Sequence, residues 1–395
     1  METFLGYRRS DGRVGVRNTI AVVPLSVAAS AVATAIADGG PERARATPHQ
    51  LAADAPAPAL EQGKRVLTGI GTNPNVCATV FVSLGTEVLD AEALADEVAA
   101  TGRPVETLSV RECNGTRDAV DTGISKLADL AAETADTTRE EAPVSELIVG
   151  VECGGSDATS GLASNPAVGE ACDTLIEAGG TASFSETPEF IGAEHILADR
   201  CANDDVRERL LAAVDRREGM ADLMGVDLRG AQPSPGNQEG GLTTIEEKSL
   251  GAIVKGGTTE IQDIVSYGEQ LPTEGGLVIM DTPGYDVESV VGKVAGGAQL
   301  IVFTTGRGST TGNPIAPVIK VCGNPQTWER MASNMDVNAS TIIGGDDLED
   351  VGDRLFETIV ETANGQQTAA EARGMHEFAI NERLPNEIER FGETA

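Results

Sequence analysis

Short apolar runs alternate with longer segments of helical periodicity along this chain. Apolar runs of about five residues, bounded by turn residues, are typical of strands buried on both faces of a parallel sheet. In the first part of the chain the predicted strands are Thr19–Pro24, Ala78–Leu84 and Val105–Val110, and the predicted helices are Val27–Ala37, Ala91–Ala100 and Thr116–Ala135. The polar stretch Asp136–Pro143 then interrupts the pattern and indicates a domain boundary.

The same alternation resumes beyond this boundary. The predicted strands are Leu147–Val151, Thr181–Ser185, Leu277–Asp281, Leu300–Thr304 and Pro317–Val321, and the predicted helical segments are Pro166–Ala178, Ala193–Met224, Thr244–Lys255, Val287–Ala295, Leu348–Asn364 and Ala369–Ile380. Strands that alternate with helices predict an α/β fold. We therefore expect two Rossmann-like lobes with mostly parallel sheets flanked by helices, at residues 1–140 and 141–395.

Polar loops follow two consecutive predicted strands of the second lobe. Cys153, Ser156 and Asp157 stand on the first loop, beside two glycines. The second loop and the helix start after it hold the polar residues Ser185, Glu186, Glu189, Glu194 and His195. Ligands of open α/β sheets bind where loops leave the carboxyl ends of strands, so these loops predict a site. Capping of the next helix alone could explain Ser156 and Asp157, and Cys153 could be a metal ligand, a nucleophile or a small buried apolar residue.

The charge of the chain excludes some partners. Asp and Glu number 62 against 29 Lys and Arg, a net charge of −33. Nucleic acids and anionic membranes require basic residues, so neither is expected as a partner. The acidic residues are dispersed over ordinary helices, which favours adaptation to a high-salt cytoplasm over an ordinary acidic protein. The chain begins without a signal peptide and has no apolar run of about 18 residues, so a soluble cytoplasmic protein is expected.

Arginines precede the first strand at Arg8, Arg9, Arg13 and Arg17. Guanidinium groups suit carboxylate, sulfonate or phosphate, so they predict an anionic substrate, with a structural clamp on acidic groups as the alternative. Arg307 lies between two glycines in the loop after a later strand. The glycine spacing matches neither a dinucleotide-binding nor a P-loop pattern.

Several motifs together resemble the altronate/galactarate dehydratase family in its large catalytic region. In chain order they are GYRRSDGRVGVRN, NPNV, CGGSDATSGLASNPAVG, SETPEFIGAEH, GGLTTIEEKSLG, MDTPGYD and FTTGRG. The resemblance implies a lyase that removes water from a polyhydroxy acid, with Fe²⁺ or another divalent cation such as Mn²⁺. It also implies either a small subunit that supplies an N-terminal domain found in other members, or a form of the enzyme that works without that domain. A homo-oligomer is compatible with the sequence.

Two departures from the dehydratase pattern leave the substrate open. LAAD follows the histidine of TPHQ, and LGTE stands at Leu84–Glu87, where sugar-acid dehydratases tend to have cysteines. The large subunit of (2R)-sulfolactate sulfo-lyase, a carbon–sulfur lyase, resembles this chain in lacking them. We expect a sugar-acid dehydratase, with the sulfo-lyase as the alternative. A non-catalytic scaffold subunit is a third reading, disfavoured by the retained CGGSD, SETPE and TTGRG loops.

The shared chemistry gives each candidate residue an expected role. A proton α to a carboxylate is removed while hydroxide or sulfite leaves, and the doubly charged intermediate needs cationic stabilisation. His49, Lys248 and Glu186 are the predicted catalytic residues, although Lys248 could equally be an exposed helix lysine and a lone histidine is often structural. The predicted substrate-binding residues are Arg17, Asn18, Ser156, Asp157, Thr305 and Arg307. Cys153 and Glu186 are the predicted metal ligands.

Overall fold

The computed structural model describes residues 2–223 and 225–383 and contains three sheets within them. The strands are β1 (Thr3–Arg8), β2 (Val14–Gly15), β3 (Thr19–Pro24), β4 (Ala44–Ala46), β5 (Val76–Ser83), β6 (Val105–Ser109), β7 (Glu140–Pro143), β8 (Ile148–Cys153), β9 (Thr181–Phe184), β10 (Ile261–Val265), β11 (Gly276–Met280), β12 (Leu300–Thr305), β13 (Val318–Cys322) and β14 (Val337–Asn338). Every strand that the apolar runs predicted is present.

Helices cover both larger sheets. They are α1 (Ser30–Gly39), α2 (Ala57–Thr72), α3 (Ala91–Ala99), α4 (Thr116–Glu133), α5 (Asn165–Glu177), α6 (Glu194–Ala198), α7 (Asp204–Leu223), α8 (Leu228–Ala231), α9 (Pro235–Glu239), α10 (Ile245–Ile253), α11 (Asp286–Ala295), α12 (Pro325–Met331) and α13 (Leu348–Ala363). None of them is both long and apolar enough to cross a bilayer.

The first large sheet has four parallel strands in the order β4-β3-β5-β6. Successive side chains of a strand point to opposite faces, so β3 buries Ile20 and Val22 on one face and Ala21 and Val23 on the other. Helices α1 and α4 cover the first face, and α2 and α3 cover the second.

The second large sheet has seven parallel strands in the order β10-β11-β9-β8-β12-β13-β14. Helices α5, α7 and α13 pack on one face of it. On the other face, α11 packs against α2 of the first lobe, in an apolar cluster to which both sheets contribute. The predicted α/β class with parallel sheets flanked by helices is confirmed. The boundary at residues 140 and 141 stays a prediction, and a small antiparallel sheet, β2-β1-β7, spans it.

Several helix assignments differ from the sequence expectation. Helices α2, α8, α9 and α12 were not predicted, and the final helix predicted at Ala369–Ile380 is wrong, because only the single turn Glu371–Arg373 is helical there. Beyond that turn the described residues form no regular secondary structure, and Phe378 and Ile380 are buried in the cluster between the sheets. The backbone N–H of Ile380 donates to Gln50 Oε1 at 3.2 Å. Tertiary contacts therefore replace the helix that local periodicity favoured.

Candidate active site

Four neighbouring strands of the seven-stranded sheet bring their carboxyl ends together at one edge. Their spatial order is β11-β9-β8-β12. Strand β8 pairs with β9, the next strand along the chain, on one side and with β12 on its other side. Beyond the strand ends, the N–H of Gly154 donates to Thr304 O at 3.0 Å and the N–H of Arg307 donates to Gly155 O at 2.8 Å. This reversal of strand order is where open α/β sheets form a ligand crevice.

Four fully buried or nearly buried groups form a hydrogen-bonded cluster at this edge. Lys255 Nζ lies 2.6 Å from Glu186 Oε2 and 3.6 Å from Glu189 Oε2. It also donates to Cys153 Sγ at 3.3 Å. The thiol of Cys153 lies 2.9 Å from Glu189 Oε2, to which it donates, and its backbone N–H donates to Glu186 Oε2 at 3.0 Å. One ammonium group thus joins two carboxylates and a thiol.

A second buried group adjoins this cluster through the strand pair β8 and β9. Glu152 Oε2 is ion-paired with Lys293 and accepts from the hydroxyl of Ser289 at 2.6 Å. Lys293 Nζ also donates to Ser185 Oγ at 2.7 Å. The other oxygen of this carboxylate, Glu152 Oε1, is buried without a hydrogen-bond partner among the described residues. Burying a carboxylate oxygen without a hydrogen-bond donor costs free energy, so a native structure keeps such an oxygen only for a specific reason.

The backbone at Glu186 is held in an unusual conformation. Its φ of 71° and ψ of 56° lie in the left-handed region, and no other described residue except glycine has a positive φ. For such a residue this conformation costs about 1–3 kcal/mol, and it persists where surrounding contacts impose it. Here the N–H of Glu186 donates to Thr282 Oγ1 at 2.9 Å, and its carboxylate is held by Lys255 and Cys153. This backbone conformation directs the Glu186 carboxylate into the cluster.

Burial and neighbouring charges set the protonation states of the cluster. Burial raises the pKa of Glu186 well above its usual value, and the carboxylates of Glu152 and Glu189 raise it further. Burial likewise raises the pKa of the Cys153 thiol, so this group is a neutral hydrogen-bond donor. Burial acts in the same direction on Glu189, but the ammonium groups of Lys248 and Lys255 outweigh it and lower its pKa to about 2. The cluster therefore holds a permanent carboxylate beside a readily protonated one.

A cavity of about 210 Å³ opens beside the cluster. Glu189 and Lys248 lie on its wall, and Lys248 Nζ is 3.1 Å from Glu189 Oε1. Ser156 and Asp157, from the loop after β8, also line it. The pair formed by Lys248 and Glu189 therefore connects the cavity to the buried groups behind it.

Three of the predicted site residues meet at this cavity. They are Ser156, Asp157 and Lys248. The side chain of Lys248 is only 15% exposed, so it is not an exposed helix lysine. Asp157 accepts from Thr159 N at 2.8 Å and from Asn324 Nδ2 at 2.8 Å, so its carboxylate orders the loop as expected for a cap.

The loop after β12 lies next to these residues. Thr305 is fully buried, and its hydroxyl accepts from Gly308 N at 2.9 Å. The guanidinium of Arg307 is 42% exposed and lies 3.8 Å from Glu239. These two residues stand at the switch point, but they are not among the residues that line the cavity.

The remaining predicted residues lie in or beside the first lobe. His49 Nε2 contacts Pro24 O at 2.8 Å, and Nδ1 accepts from Leu51 N at 3.2 Å, so both ring nitrogens are used. Burial lowers the pKa of His49 to about 4. Arg17 pairs with Glu371 at 2.7 Å, and Asn18 Oδ1 accepts from Arg9. The structure does not bring His49, Arg17 or Asn18 into contact with the cluster.

Sequence reasoning missed Lys255, Lys293, Ser289 and Asp286. One signal was available, because the chain has only six lysines. Lys255, Lys293 and Lys320 are fully buried, and Lys248 is mostly buried. In a chain that avoids surface lysine, each remaining lysine is therefore a candidate for a buried ion pair.

Two sets of donor groups lie close enough together to hold the predicted divalent cation. Cys153, Glu186 and Glu189 bring ligand atoms within 4.8 Å of one another. Lys255 Nζ already lies among them, so this set fits a metal poorly while the ammonium stays there. Glu152, Glu186 and Asp286 form a second set of three carboxylates. In this set too, Glu186 is paired with Lys255 and Glu152 with Lys293, but Glu152 keeps the unpartnered oxygen Oε1. That free oxygen and the all-oxygen donors make the second set the better fit for a hard cation.

Comparison with known proteins places these features in a family. The family model described as D-galactarate/Altronate dehydratase, C-terminal, matches residues 144–385. The model described as D-galactarate dehydratase/Altronate hydrolase, second domain, matches residues 6–135. Together they cover well over half of the chain.

Individual relatives agree with the family models. The (2R)-sulfolactate sulfo-lyase subunit beta of Chromohalobacter salexigens is 43% identical over 96% of this chain and 97% of that protein. Galactarate dehydratase (L-threo-forming) of Escherichia coli is 38% identical over 79% of this chain and 61% of that protein. Altronate dehydratase of Bacillus subtilis is 31% identical over 96% of this chain and 77% of that protein. These relatives are lyases, and the chain belongs to the D-galactarate/altronate dehydratase family.

Proposed function

We propose that this chain is the large subunit of a carbon–sulfur lyase that releases sulfite from sulfolactate. The observation that supports this most strongly is the 43% identity to a sulfo-lyase subunit along nearly the full length of both chains. Dehydration of a sugar acid, the reading that the motifs first favoured, is the second candidate. It is supported by the family models and by 38% identity to a galactarate dehydratase.

Both reactions pose the same chemical problem. A base removes the proton α to the carboxylate, and the electrons of that C–H bond form a carbon–carbon double bond. The electron pair of the C–S bond leaves with sulfite, or that of the C–O bond with hydroxide. The resulting enol becomes a 2-keto acid. Because the aci-carboxylate intermediate carries two negative charges, fixed cations beside it lower the barrier.

Lys248 is the group best placed to meet the substrate anion. Burial would lower the pKa of this lysine, but Glu189 at 3.1 Å outweighs that effect, so its pKa is raised and the ammonium persists at neutral pH. A persistent ammonium on the cavity wall binds a carboxylate or sulfonate and can donate a proton to the leaving group. In this proposal Lys248 acts as cation and acid, not as base.

The buried groups behind Lys248 form a path for a proton. Glu189 contacts Lys248 on the cavity side and Cys153 and Lys255 on the buried side. Lys255 in turn pairs with Glu186, whose raised pKa allows it to hold a proton. We assign Glu186 the role of proton store, linked to the cavity through Lys255 and Glu189.

A divalent cation such as Fe²⁺ or Mn²⁺ stays part of this proposal. Glu152, Asp286 and, in its deprotonated form, Glu186 would hold it, since their oxygens converge within 4.8 Å. When bound there, it would supply electrophilic stabilisation of the intermediate. Removal by a chelator, followed by readdition of Fe²⁺ or Mn²⁺ and metal analysis of the protein, tests this separately from turnover.

A small partner subunit is also part of the proposal. The relative from Chromohalobacter salexigens is named as a subunit. Leu162 lines the cavity and is 67% exposed, and Leu250, next in sequence to the lining residue Gly251, is 47% exposed. We propose that the small subunit covers these two leucines. Leu162→Glu should then weaken co-purification of the two subunits, whereas Val88→Glu, at an exposed apolar residue of the first lobe, should not.

Turnover assays separate the candidate functions. The protein, with its small partner and Fe²⁺ or Mn²⁺, is incubated with sulfolactate, altronate and galactarate, and both sulfite and 2-keto acid are measured. Sulfite and 2-keto acid in equal amounts from sulfolactate alone support the proposal. 2-Keto acid from altronate or galactarate without sulfite assigns the dehydratase instead. Unchanged turnover in Lys248→Met would support the scaffold reading, in which the partner supplies the active residues.

A further inference from the structure

A second cavity lies between the two lobes, apart from the cluster described above. Its volume is about 160 Å³, and its walls come from the start of β3, from β4 and from the segments around Asn313 and His376. That volume corresponds to about five water molecules, which is enough for a small acid or an oxyanion and too small for a nucleotide.

Basic side chains line this cavity in an otherwise acidic protein. Arg17, Arg43 and Arg45 lie on its wall, with Glu371 as the one acidic residue among its lining residues. Glu371 is occupied by Arg17 at 2.7 Å. The cavity wall therefore carries two more arginines than carboxylates, although the whole chain has a net charge of −33.

The two remaining arginines contact only uncharged groups among the described residues. Arg43 donates to Thr134 Oγ1 at 2.6 Å and to Ala131 O at 2.8 Å. Arg45 donates to Ala44 O at 2.8 Å. A guanidinium that is satisfied only by neutral acceptors keeps its full positive charge available to a ligand.

Two residues that line the cavity each hold a buried nitrogen atom without a hydrogen-bond partner among the described residues. The atoms are Asn313 Nδ2 and His376 Nδ1. Asn313 is 96% buried, and its Oδ1 already accepts from Ile315 N at 2.9 Å and from Ala316 N at 3.1 Å. Its amide group is therefore fixed in orientation, with a donor left over. A buried donor without an acceptor is costly, and a bound anion would satisfy it.

We propose that this cavity binds a small oxyanion, with Arg43, Arg45 and Asn313 Nδ2 as its donors. Sulfate, phosphate, sulfite and short carboxylic acids share the required chemistry. The site is separate from the lyase cluster and does not rest on the proposed function. A small anion held there would bridge the two lobes, because Arg43 and Arg45 belong to the first lobe and Asn313 to the second.

Calorimetric titration of the full-length protein at low ionic strength tests this. Sodium sulfate, phosphate, sulfite and pyruvate are titrated separately, with sodium chloride as the control for ionic strength. Asn313→Asp keeps the Oδ1 acceptor but replaces the donor with a negative oxygen, so it should weaken oxyanion binding by at least tenfold. Arg45→Gln should weaken it several-fold. Arg207→Gln, which removes an exposed arginine on α7, is the matched control and should leave binding unchanged.

The outcomes are distinct. Binding of one or more oxyanions that is lost in Asn313→Asp and retained in Arg207→Gln supports the site, and the anion with the highest affinity identifies its ligand. Two results would overturn the proposed site. One is equal oxyanion binding by the wild type and a folded Asn313→Asp variant. The other is that no oxyanion gives a binding signal beyond that of the chloride control. Circular dichroism of each variant confirms folding. Failure of this test leaves the lyase proposal unaffected, because sulfite release is measured at the other site.

Discussion

The same substitution at two fully buried lysines should change stability in opposite directions. Lys255 lies among Glu186, Glu189 and Cys153, whereas Lys320, in the middle of β13, forms no ion pair within the described residues. Methionine matches the length of the lysine stem and removes the charge. Lys255→Met therefore removes the cation that pairs with two carboxylates, whereas Lys320→Met removes a buried charge that burial destabilises more than the nearby carboxylates of Asp336 and Glu377 stabilise it.

The expected magnitudes follow from burial and charge. Breaking a fully buried ion pair from one side costs about 3–5 kcal/mol, because the partner charge remains without compensation. For Lys320, burial lowers the pKa to about 8 from 10.5. At 1.36 kcal/mol for each pH unit, the ammonium opposes folding by about 3 kcal/mol at neutral pH. Lys255→Met should therefore destabilise the protein, and Lys320→Met should stabilise it.

The pH dependence gives the second part of this prediction. The folded state binds the proton of Lys320 less tightly than the unfolded state, so the penalty is complete below about pH 8 and disappears as the pH rises toward 10.5. The stabilisation in Lys320→Met should shrink over the same range. For Lys255→Met, the second substitution Glu186→Gln removes the stranded carboxylate and should restore part of the lost stability.

Scanning calorimetry at one scan rate measures these effects. For 395 residues, 1 kcal/mol corresponds to roughly 1 °C in Tm, so Lys255→Met should lower Tm by roughly 4–6 °C and Lys320→Met should raise it by roughly 3 °C. A lower Tm for both variants, or a double variant no more stable than Lys255→Met, would refute this account of the cluster. Circular dichroism confirms that each variant is folded at the start.

Three further predictions concern the site and one ion pair. Glu186→Gln should abolish turnover, because glutamine cannot hold and release a proton; Glu177→Gln on the surface of α5 is its control, circular dichroism confirms that both variants are folded, and wild-type activity in Glu186→Gln would remove this residue from the mechanism. Lys248→Met should raise KM by at least tenfold and lower kcat, and a changed kcat at constant KM would argue against a role in binding the substrate anion. Arg17 lowers the pKa of Glu371, so their pair stabilises the fold above the ordinary pKa of glutamate and this contribution is lost as the pH falls through the depressed value. Glu371→Gln should therefore cost about 2 kcal/mol at pH 7 in urea unfolding, with a smaller difference near pH 3; a difference independent of pH would contradict this.

Local patterns were enough for much of the fold. The strand predicted at Thr19–Pro24 has the same bounds in the structure, and the helices around α4 and α5 differ from their predictions by one or two residues. Apolar runs and helical periodicity are set by neighbouring residues, so the sequence displays them directly. The final helix failed because Phe378 and Ile380 are buried by distant residues, which no local pattern reports.

The sequence by itself determined the α/β class, the polar loops after β8 and β9 and, through its motifs, the family. It also placed Cys153, Glu186 and Lys248 among the candidates. Only the tertiary structure decided which charges meet, because the partners are far apart in sequence: Lys255 lies 102 positions from Cys153, and Lys293 lies 141 from Glu152. It likewise separated His49 and Arg17 from the cluster. A buried charge is stable only beside its counter-charge, and which residues become neighbours is fixed by strand order and helix packing, not by local sequence.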